Sequence, residues 1–443
     1  MSRNYRRFRP KASRIFEQRF DLPGATSIGG INELGRFLLK LKLEKRLAVR
    51  FRDAKARWSS WQLDRVIGVL LDAYFAGIER LYHFEDLETE PLLCARHGVE
   101  RLPDLNMLYR DLRRFEDPEL LRTLLDLLRE IVVEALRKQS LVTLDIDSTV
   151  GTLYGQQEGA EIGPNPHKPG RPSYHPLIAR DRVSDLIVHH VLRPGSAGTA
   201  TDIVSFLHKT LDIVKEGRPD RMILARLDSG FEIDDVMRLL ERREVGYVIK
   251  MRGTYSVTST LFGVGPRAWR RVLFDGDGEI EVAEFTIQRE KWSQPRRMIV
   301  LRKREMDNLQ GHLFDREHWS YSFFVTDRDW EPEDVARFYD KRADVERTIC
   351  EAKNDLSIDH VPTSSFGANA ADLAIKVLAR NLLVLYRDRG LKLKTRFRIA
   401  TLRRRFIAIA GRLVQHAGRI VLRLSPHTPL RLSAITVARP LRA

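Results

Sequence analysis

The stretch LVTLDIDSTV, residues 141–150, is where the sequence pattern changes from helical to mixed. Upstream, residues 28–138 carry leucines and other apolar residues at steps of three and four with charges between them, which predicts helices. The stretch itself is short and β-branched, which predicts a strand, and similar runs follow at 174–180 and 184–193. Predicted helices then alternate with predicted strands as far as residue 252. Three strands followed by this alternation indicate a mixed α/β layer.

A β-rich segment separates this layer from a long predicted helix. Helical periodicity disappears after residue 252, and the sequence DGDG at 275–278 predicts a hairpin turn between two strands. Residues 331–356 then predict one helix. We therefore expect four parts: a helical N-terminal domain, the first part of the α/β domain, a β-rich insertion, and a last part with the long helix and a basic helical C-terminus. Their predicted bounds are 1–138, 139–252, 253–325 and 326–443.

The bulk composition is that of a soluble globular protein, with 43% apolar and 31% charged residues. The two cysteines, Cys94 and Cys350, have neither a disulfide-framework nor a zinc-ligand spacing, so we expect a reducing, cytoplasmic setting. No apolar run approaches the roughly 20 residues of a membrane span. The basic N-terminus lacks the apolar stretch of a signal peptide. We expect no membrane partner.

The formal charge of +16 is concentrated at the two ends of the sequence. Residues 389–443 contain fourteen Arg or Lys residues and no Asp or Glu, and residues 1–20 contain seven basic residues and one acid. The C-terminal stretch is also apolar and periodic, which favours folded structure with a basic face over a merely solubilising tail. Such a face is typical of proteins that bind polyanions, most often nucleic acid.

One segment of the helical region has the pattern of a helix-turn-helix. In residues 91–115 a short helical run is followed by Gly98 and by a second helical run that starts near Pro103. This pattern fits a DNA-reading helix-turn-helix. It fits an ordinary helical hairpin inside a bundle equally well, and the sequence leaves both interpretations open.

Two aspartates stand where predicted strands of the α/β layer end. Asp147 lies in LDIDST, and Asp228 lies in ARLDSGF. Neighbouring buried strands commonly present side chains from their C-terminal ends into a crevice outside the sheet. Each aspartate could instead cap the turn or helix that follows it. Neither residue decides between these interpretations alone.

Four polar residues recur at regular offsets along the helix predicted at 331–356. They are Tyr339, Arg342, Glu346 and Lys353. At roughly 100° per residue, their side chains fall within about 60° of one another. We therefore expect one polar stripe, which could be a solvated face or one wall of a site.

An apolar stripe lies beside the polar stripe and is expected to face the sheet. Its members are Phe338, Val345, Ile349, Ala352 and Leu356. Glu346 is therefore predicted at the border of the core. The alternative is an exposed Arg342–Glu346 ion pair, worth only about 0.3–0.5 kcal/mol.

Three carboxylates that converge on one crevice repel each other unless a divalent cation neutralises them. Oxygen ligands from Asp147, Asp228 and Glu346 would select Mg²⁺ or Mn²⁺, and the lack of a His/Cys cluster disfavours zinc. Two such ions about 3.5–4 Å apart can activate an attacking oxygen and stabilise the leaving oxygen in phosphodiester displacement. The other three residues of the polar stripe would then hold phosphates.

These motifs, in this order, resemble those of the DDE transposases of bacterial insertion sequences. LDIDST is followed by ARLDSGF and then by Y-x2-R-x3-E-x6-K, which resembles the signature of the IS-four superfamily. The wording LDIDSTVGTLYGQQEGAEIGPNPHKPGRPSYHP looks most like its IS-thirteen-eighty branch. The resemblance runs from about residue 140 to residue 443, and more weakly through the predicted N-terminal helices.

The resemblance implies a ribonuclease-H-like mixed sheet with flanking helices and a β-rich insertion before the glutamate. It implies that Asp147, Asp228 and Glu346 are catalytic and bind two Mg²⁺ ions, for which Mn²⁺ can substitute. It also implies that the rest of the stripe binds DNA near the cleaved phosphate; these residues are Tyr339, Arg342 and Lys353.

Asp145 competes with Asp147 for the first position of the triad, because alternate residues of a strand share a face. We prefer Asp147, since the aspartate of the resembled family is followed by small hydroxyl residues, as in Asp147-Ser148-Thr149.

The resembled family also uses a tryptophan of the insertion to stack on a displaced base. Trp292 and Trp319 are the candidates here, and core packing is the alternative for both. In the loop at 165–176, Lys168 and Arg171 could contact DNA, or the loop could be a turn stiffened by its prolines.

The implied reaction is cleavage at the ends of the element, followed by in-line attack of the freed 3′-hydroxyl on target DNA. The implied partners are the inverted-repeat ends, which the helical N-terminal domain would bind, the target DNA, and a second copy of the chain. The implied setting is the bacterial cytoplasm, at the nucleoid when DNA is bound. Two alternatives stay open: a ribonuclease-H-like nuclease that cuts without joining, and a transposase-derived DNA-binding protein without catalysis.

Overall fold

The α/β layer predicted from residue 140 onward is built on one large mixed sheet. The computed structural model describes residues 18–19, 21–166, 168–198, 200–272, 280–304, 319–416 and 418–425. Helices pack on this sheet, and two small sheets of three strands accompany it in the described ranges. The mixed α/β prediction is therefore confirmed.

The helices fall into a group before the large sheet and a group within and after it. They are α1 (Ile31–Lys40), α2 (Leu43–Phe51), α3 (Leu63–Ala76), α4 (Pro91–His97), α5 (Leu105–Arg113), α6 (Pro118–Leu136), α7 (Ile203–Lys215), α8 (Asp234–Arg242), α9 (Tyr255–Thr258), α10 (Pro332–Asp340), α11 (Ala343–Leu356), α12 (Phe366–Leu385) and α13 (Ile399–Leu402). Two π-helical turns, Tyr386–Gly390 and Arg403–Ile407, follow α12 and α13.

The strands are numbered along the chain in the same way. They are β1 (Ala25–Thr26), β2 (Leu141–Ser148), β3 (Gly151–Thr152), β4 (Glu161–Ile162), β5 (Pro172–Tyr174), β6 (Leu177–Asp181), β7 (Ile187–Val191), β8 (Met222–Leu227), β9 (Gly246–Met251), β10 (Arg270–Val272), β11 (Ile280–Ile287), β12 (Arg296–Arg304), β13 (Trp319–Thr326), β14 (Gly411–His416) and β15 (Arg419–Leu424).

The large sheet has the strand order β10-β11-β12-β13-β9-β8-β2-β6-β7 in the described residues. Strands β2, β8 and β9 are parallel, and the other pairs are antiparallel. β2 is therefore central, and its apolar residues are buried, as expected of a strand that is covered on both faces. The carboxyl ends of the three parallel strands meet at one edge of the sheet.

The β-rich insertion joins the large sheet instead of forming a sheet of its own. β11, β12 and β13 extend the sheet beyond β9 as an antiparallel ribbon. The segment also contains the short helix α9 and two 3₁₀ turns, which its sequence pattern did not predict. The predicted DGDG turn lies outside the described residues.

The predicted helix at 331–356 is wrong, because the chain forms two helices, α10 and α11, with a turn between them. Buried residues of α10 belong to a small cluster with β9, β12 and β13, whereas those of α11 belong to the main core. One straight helix could not cover both clusters. As a result Tyr339 is buried and Phe338 is half-buried, the reverse of the predicted stripes.

The C-terminal segment also differs from its predicted helical structure. β14 and β15 form a hairpin, and β1 pairs with β14 to complete a small antiparallel sheet. The N-terminal and C-terminal segments are thereby joined, because the amides of Gly29 and Gly30 also donate to the carbonyl oxygens of Ile409 and Ile407, at 2.8 and 3.1 Å.

Helix α12 is the structural centre of the helical part. It is buried over nearly its whole length, and α3, α5, α6 and β7 pack on it. Its polar residues have partners: Asn381 accepts from the amide of Ile187 and donates to the same residue's carbonyl oxygen, at 3.0 and 2.8 Å. An edge strand is thus covered by an amide side chain.

None of the helices in the described ranges combines the length and apolar character that crossing a membrane requires.

Candidate active site

The two predicted aspartates stand side by side at the carboxyl edge of the sheet. In the parallel pair β2–β8, Asp145 is opposite Arg226 and Ile146 is opposite Leu227. The next residues along the two strands are Asp147 and Asp228, so the register brings them next to each other. The charge of Asp228 is close enough to Asp147 to raise the pKa of that carboxyl group.

Asp145 faces the interior and is fully paired there. Arg226 donates from Nε and Nη2 to its two carboxylate oxygens, at 2.7 and 2.8 Å, and both side chains are fully buried. Arg226 also donates from Nη1 to the carbonyl oxygen of Phe338, at 2.7 Å. Arg180 approaches Asp145 to 3.6 Å. Of the two competing aspartates, Asp147 is therefore the one with a side chain accessible at the edge of the sheet.

Arg342 connects Asp147 to Glu346. It lies at the turn before α11, and its Nη2 is 3.3 Å from Oδ1 of Asp147 and donates to the carbonyl oxygen of Ile146 at 3.1 Å. Its Nη1 is 3.6 Å from Oε1 of Glu346. The Arg342 side chain is 6% exposed and that of Glu346 is 68% exposed, so the predicted position of Glu346 at the core border is wrong. The i,i+4 ion pair is present, and it also includes a strand carboxylate.

Three carboxylates and one buried guanidinium group determine the electrostatics of the site. Burial raises the pKa of Asp147 to about 6, Arg342 opposes this rise, and Asp228 and Glu346 add to it. Burial alone would lower the pKa of Arg342, but the nearby carboxylates, Asp147 first, raise it. The pKa of Tyr339 is raised, chiefly by burial. The charges of Asp228 and Glu346 therefore act on both Asp147 and Tyr339.

The polar stripe is only partly assembled as predicted. Tyr339 is on α10 and packs on Phe324, with ring centroids 4.9 Å apart. Lys353 donates from Nζ to the carbonyl oxygen of Val150, at 3.0 Å, and burial lowers its pKa. Lys353 thus holds the loop that follows Asp147. Tyr339 therefore lies on a different helix from Glu346 and Lys353, so these residues do not form one stripe on a single helix.

The donor set of the site fits a hard divalent cation, although the side chains do not form a closed ligand shell. All three candidate ligands are carboxylates, and the charges of two of them raise the pKa of Asp147. Within the described ranges, no group of three or more His, Cys, Asp or Glu side chains is arranged to hold a metal ion. In this conformation the guanidinium group of Arg342 supplies the positive charge between Asp147 and Glu346.

The two candidate tryptophans, Trp292 and Trp319, contact arginine side chains. Trp292 is buried, with the guanidinium carbons of Arg289 and Arg296 5.8 and 5.5 Å from its ring centre. Trp319 is half-buried, with Arg302 4.4 Å from its ring centre.

The predicted loop at 165–176 contains β5 at Pro172–Tyr174, and a turn precedes this strand. Asn165 accepts from the amide of Lys168 at 3.0 Å, and the ammonium group of Lys168 lies 4.9 Å from the ring centre of Tyr154. Arg171 is exposed.

The helix-turn-helix candidate forms two helices, α4 and α5, with Gly98 between them in the left-handed conformation at φ 65°. The exposed face of α5 carries Asn106, Arg110 and Arg113. Its opposite face packs into the helical group. This arrangement suits both a DNA-reading helix and a hairpin within a bundle.

Sequence analysis missed the role of Arg226. The signal was an arginine in the middle of the apolar run MILARL, two residues before Asp228. A buried cation in a strand needs a buried anion, and the aspartate at 145 was the free candidate. Its partner could be identified only once the parallel register of β2 and β8 was known.

Comparison with known proteins places this geometry in context. Residues 8–442 match the family model described as "Transposase DDE domain group 1". Among solved structures, the chain is similar to one described as "Cryo-EM structure of piggyBac transposase synaptic complex with hairpin DNA", with 11% identity, 82% of this chain and 74% of that chain covered, and a TM-score of 0.46. No curated protein matches the chain.

Proposed function

The chain belongs to the family of group 1 transposase DDE domains, and we propose that it is the Mg²⁺-dependent transposase of a bacterial insertion sequence of the IS-four superfamily, in its IS-thirteen-eighty branch. It binds the terminal inverted repeats, cleaves the DNA there and joins the ends to target DNA by in-line phosphodiester displacement. Its partners are double-stranded DNA and a second copy of the chain that holds the other end. It works in the cytoplasm, at the nucleoid when DNA is bound.

The observation that carries this proposal is the cluster around Arg342. A strand carboxylate and a helix carboxylate approach the same guanidinium group, at 3.3 and 3.6 Å, and a second strand carboxylate raises the pKa of the first. Carboxylates that are brought together at the carboxyl edge of a sheet repel one another, although the chain as a whole has a net charge of +16. This cluster is the arrangement that phosphodiester chemistry with divalent metal ions requires.

The sheet supports a ribonuclease-H-like core. The order β7-β6-β2-β8-β9, with the first three strands antiparallel and the last three parallel, is that of the ribonuclease-H-like sheet. In such a core the acids follow the first and fourth strands, which here are β2 and β8. We propose the bounds that the sequence predicts for the four parts, 1–138, 139–252, 253–325 and 326–443, with the helices of 1–138 as the part that binds the DNA ends.

We assign Asp147, Asp228 and Glu346 as the ligands of two divalent cations, since DDE transposases generally use such ions. When bound, the ions supply the positive charge and the activated oxygen that in-line displacement needs. The chain's own task is to bring Glu346, which is exposed on α11, toward the two aspartates. Cations bound by the carboxylates would neutralise their charge, and Arg342 would then be released from them.

Arg342, Tyr339 and Lys353 are assigned to the DNA phosphates. The buried Nε of Arg342 is a donor without an acceptor in the described part of the chain, and a phosphate oxygen would satisfy it. The Lys353 ammonium group has two donors beyond its bond to Val150. Both cations are partly buried, where charge-assisted hydrogen bonds to phosphate are strong.

The test is the substitution Asp228→Ala, assayed with a duplex that contains the DNA flanking the reading frame. We expect Mg²⁺-dependent cleavage to be lost, because one ligand of the cluster is removed, while binding of the duplex is retained. The matched control is Asp220→Ala, which removes an exposed aspartate just before β8, at the opposite end of the strand. The control should cleave as the wild type does.

Cleavage by Asp228→Ala at the wild-type rate would remove Asp228 from the site. A wild-type protein that cuts the duplex but never joins it to a target plasmid would instead be a ribonuclease-H-like nuclease. A wild-type protein that binds the duplex but does not cut it in Mg²⁺ or Mn²⁺ would be a DNA-binding relative without catalysis.

A further inference from the structure

A surface of uncompensated positive charge lies beyond the candidate active site, between α12 and β14. We define this basic patch by six exposed cations: Lys392, Lys394, Arg396, Arg398, Arg404 and Arg405. No Asp or Glu occurs in the sequence from residue 389 onward. None of the six forms an ion pair within the described residues.

Two acids that contact the start of α13 are turned inward and do not pair with the six cations. Glu351 and Asp355, on α11, are both buried. Their oxygens accept from the amides of Ile399 and Ala400, at 2.8 and 2.9 Å. These carboxylates therefore cap the start of α13, and Asp388, the exposed acid before the patch, is paired with Arg387.

Contacts with the rest of the fold hold side chains of the patch in place. Arg396 donates to the carbonyl oxygens of Arg182 and Val183, in the turn between β6 and β7. The guanidinium group of Arg405 lies 4.6 Å from the ring centre of Phe397. A hollow of about 520 Å³ opens here, lined by Lys394, Arg404, Arg405 and the neighbouring aromatic rings. Like charges held together in this way repel one another, and that repulsion is relieved when an anion occupies the surface.

The patch is fixed relative to the helix that carries Glu346. Nine residues separate Glu346 from Asp355, which is about 13.5 Å along α11 at 1.5 Å per residue. Successive phosphates of one DNA strand advance by about 3.4 Å along the duplex axis. A duplex that ran along α11 with one phosphate at the carboxylates would have phosphates about four base pairs away beside Asp355, which caps the start of α13.

We propose that the basic patch binds the sugar–phosphate backbone of double-stranded DNA, a short distance from the cleaved phosphate and without reading bases. Arginine and lysine side chains donate hydrogen bonds to phosphate oxygens, and no Asp or Glu from residue 389 onward competes for these donors. The inference rests on the proposed function only in taking DNA as the polyanion. It adds a surface whose charges act on affinity and not on the chemical step.

The test measures how the affinity depends on salt, with the full chain and a duplex of about 30 base pairs of arbitrary sequence. The variant is Lys394→Gln/Arg404→Gln/Arg405→Gln, in which the side-chain stems are largely kept. Each lost phosphate contact lowers the slope of log K against log salt by about 0.9, so we expect the slope to fall by about 2 to 3.

The matched control is Lys209→Gln/Arg238→Gln/Arg242→Gln, on α7 and α8, which removes three exposed charges outside the patch and outside 1–138 and gives the same net charge. We expect its slope to stay close to that of the wild type. An unchanged slope in the patch variant, or an equal fall in both variants, would overturn the inference. A wild-type chain without any salt-dependent affinity for the duplex would overturn the proposed function itself. Thermal melting of both variants checks that each is folded.

Discussion

At the scale of single residues, Arg342 supplies the positive charge that balances the carboxylates of the candidate active site. It is a buried guanidinium group between a strand carboxylate and a helix carboxylate, and it also donates to the backbone of β2. Its charge does not fully offset the burial of Asp147, whose pKa remains raised to about 6. The candidate site is therefore strained electrostatically, as sites arranged for catalysis commonly are.

The substitution Asp147→Asn should stabilise the metal-free protein in a pH-dependent way. A carboxyl group with a raised folded-state pKa contributes stability that is complete below about pH 4 and is lost as the pH rises through about 6. The variant should therefore gain up to about 3 kcal/mol in the free energy of unfolding at pH 8, and about half of that at pH 5. Urea denaturation at the two pH values measures this gain.

The control for this prediction is Asp220→Asn, an exposed aspartate whose removal should leave stability within about 0.5 kcal/mol at either pH. Saturating Mg²⁺ should stabilise the wild type and not Asp147→Asn, because a bound cation stabilises only the form that holds it. A destabilised Asp147→Asn protein at both pH values would show that Asp147 is a structural partner of Arg342 and not a strained ligand.

At the scale of elements, local patterns predicted the central strands well and their junctions poorly. The runs around β2, β6, β7, β8 and β9 were recognisable because buried strands are short, apolar and β-branched. The break between α10 and α11 was not recognisable, since a helical wheel records only angles within one segment. Two separate apolar clusters decide the break, and one of them depends on β12 and β13.

For the same reason, the sequence predicts three acids for the candidate site but not the arrangement that positions them. Asp147 lies near the end of β2 and Asp228 directly follows β8, and strand ends are visible in sequence. The pairing of Asp145 with Arg226 depends on the register between strands 81 residues apart. It also extends to the carbonyl oxygen of Phe338, at the end of α10, which no local pattern indicates.

Removing Arg226 alone should be strongly destabilising, because Asp145 would remain buried without its bidentate partner. We expect Arg226→Met to lower the free energy of unfolding by about 3–5 kcal/mol. Asp145→Leu should be similarly costly, whereas Asp145→Leu/Arg226→Met should cost clearly less than the sum of the two. Urea denaturation of the four proteins gives the coupling energy of the pair.

A surface arginine provides the control for this cycle. Arg238, on α8, is 48% exposed and 3.9 Å from Asp235, so Arg238→Met should change stability by no more than about 0.5 kcal/mol. Strictly additive losses in the Asp145–Arg226 cycle would contradict the view that this pair joins β2, β8 and α10.

At the scale of the whole molecule, the helices before residue 138 and the chain after it share one buried core. The hydroxyl group of Tyr74 donates to Asp372, 298 residues later in the sequence. Arg389 donates to the carbonyl oxygen of Ala135 at 2.5 Å. The composition of the sequence changes near residue 138, but a change of composition does not show which surfaces pack together.

The last prediction concerns the fragment 1–138, which we expect not to fold alone. Its helices α3, α5 and α6 pack on α12, so the isolated fragment exposes the apolar side chains that α12 covers, each worth about 1.5–3 kcal/mol when buried. Circular dichroism and thermal melting should show no cooperative transition. The control is the full chain with a protease site inserted after Lys138: once cut, its two pieces should stay together in gel filtration. A cooperative melt of the isolated fragment would mean that the helices around α12 form an independent unit, and the packing seen here would then be an interface between domains.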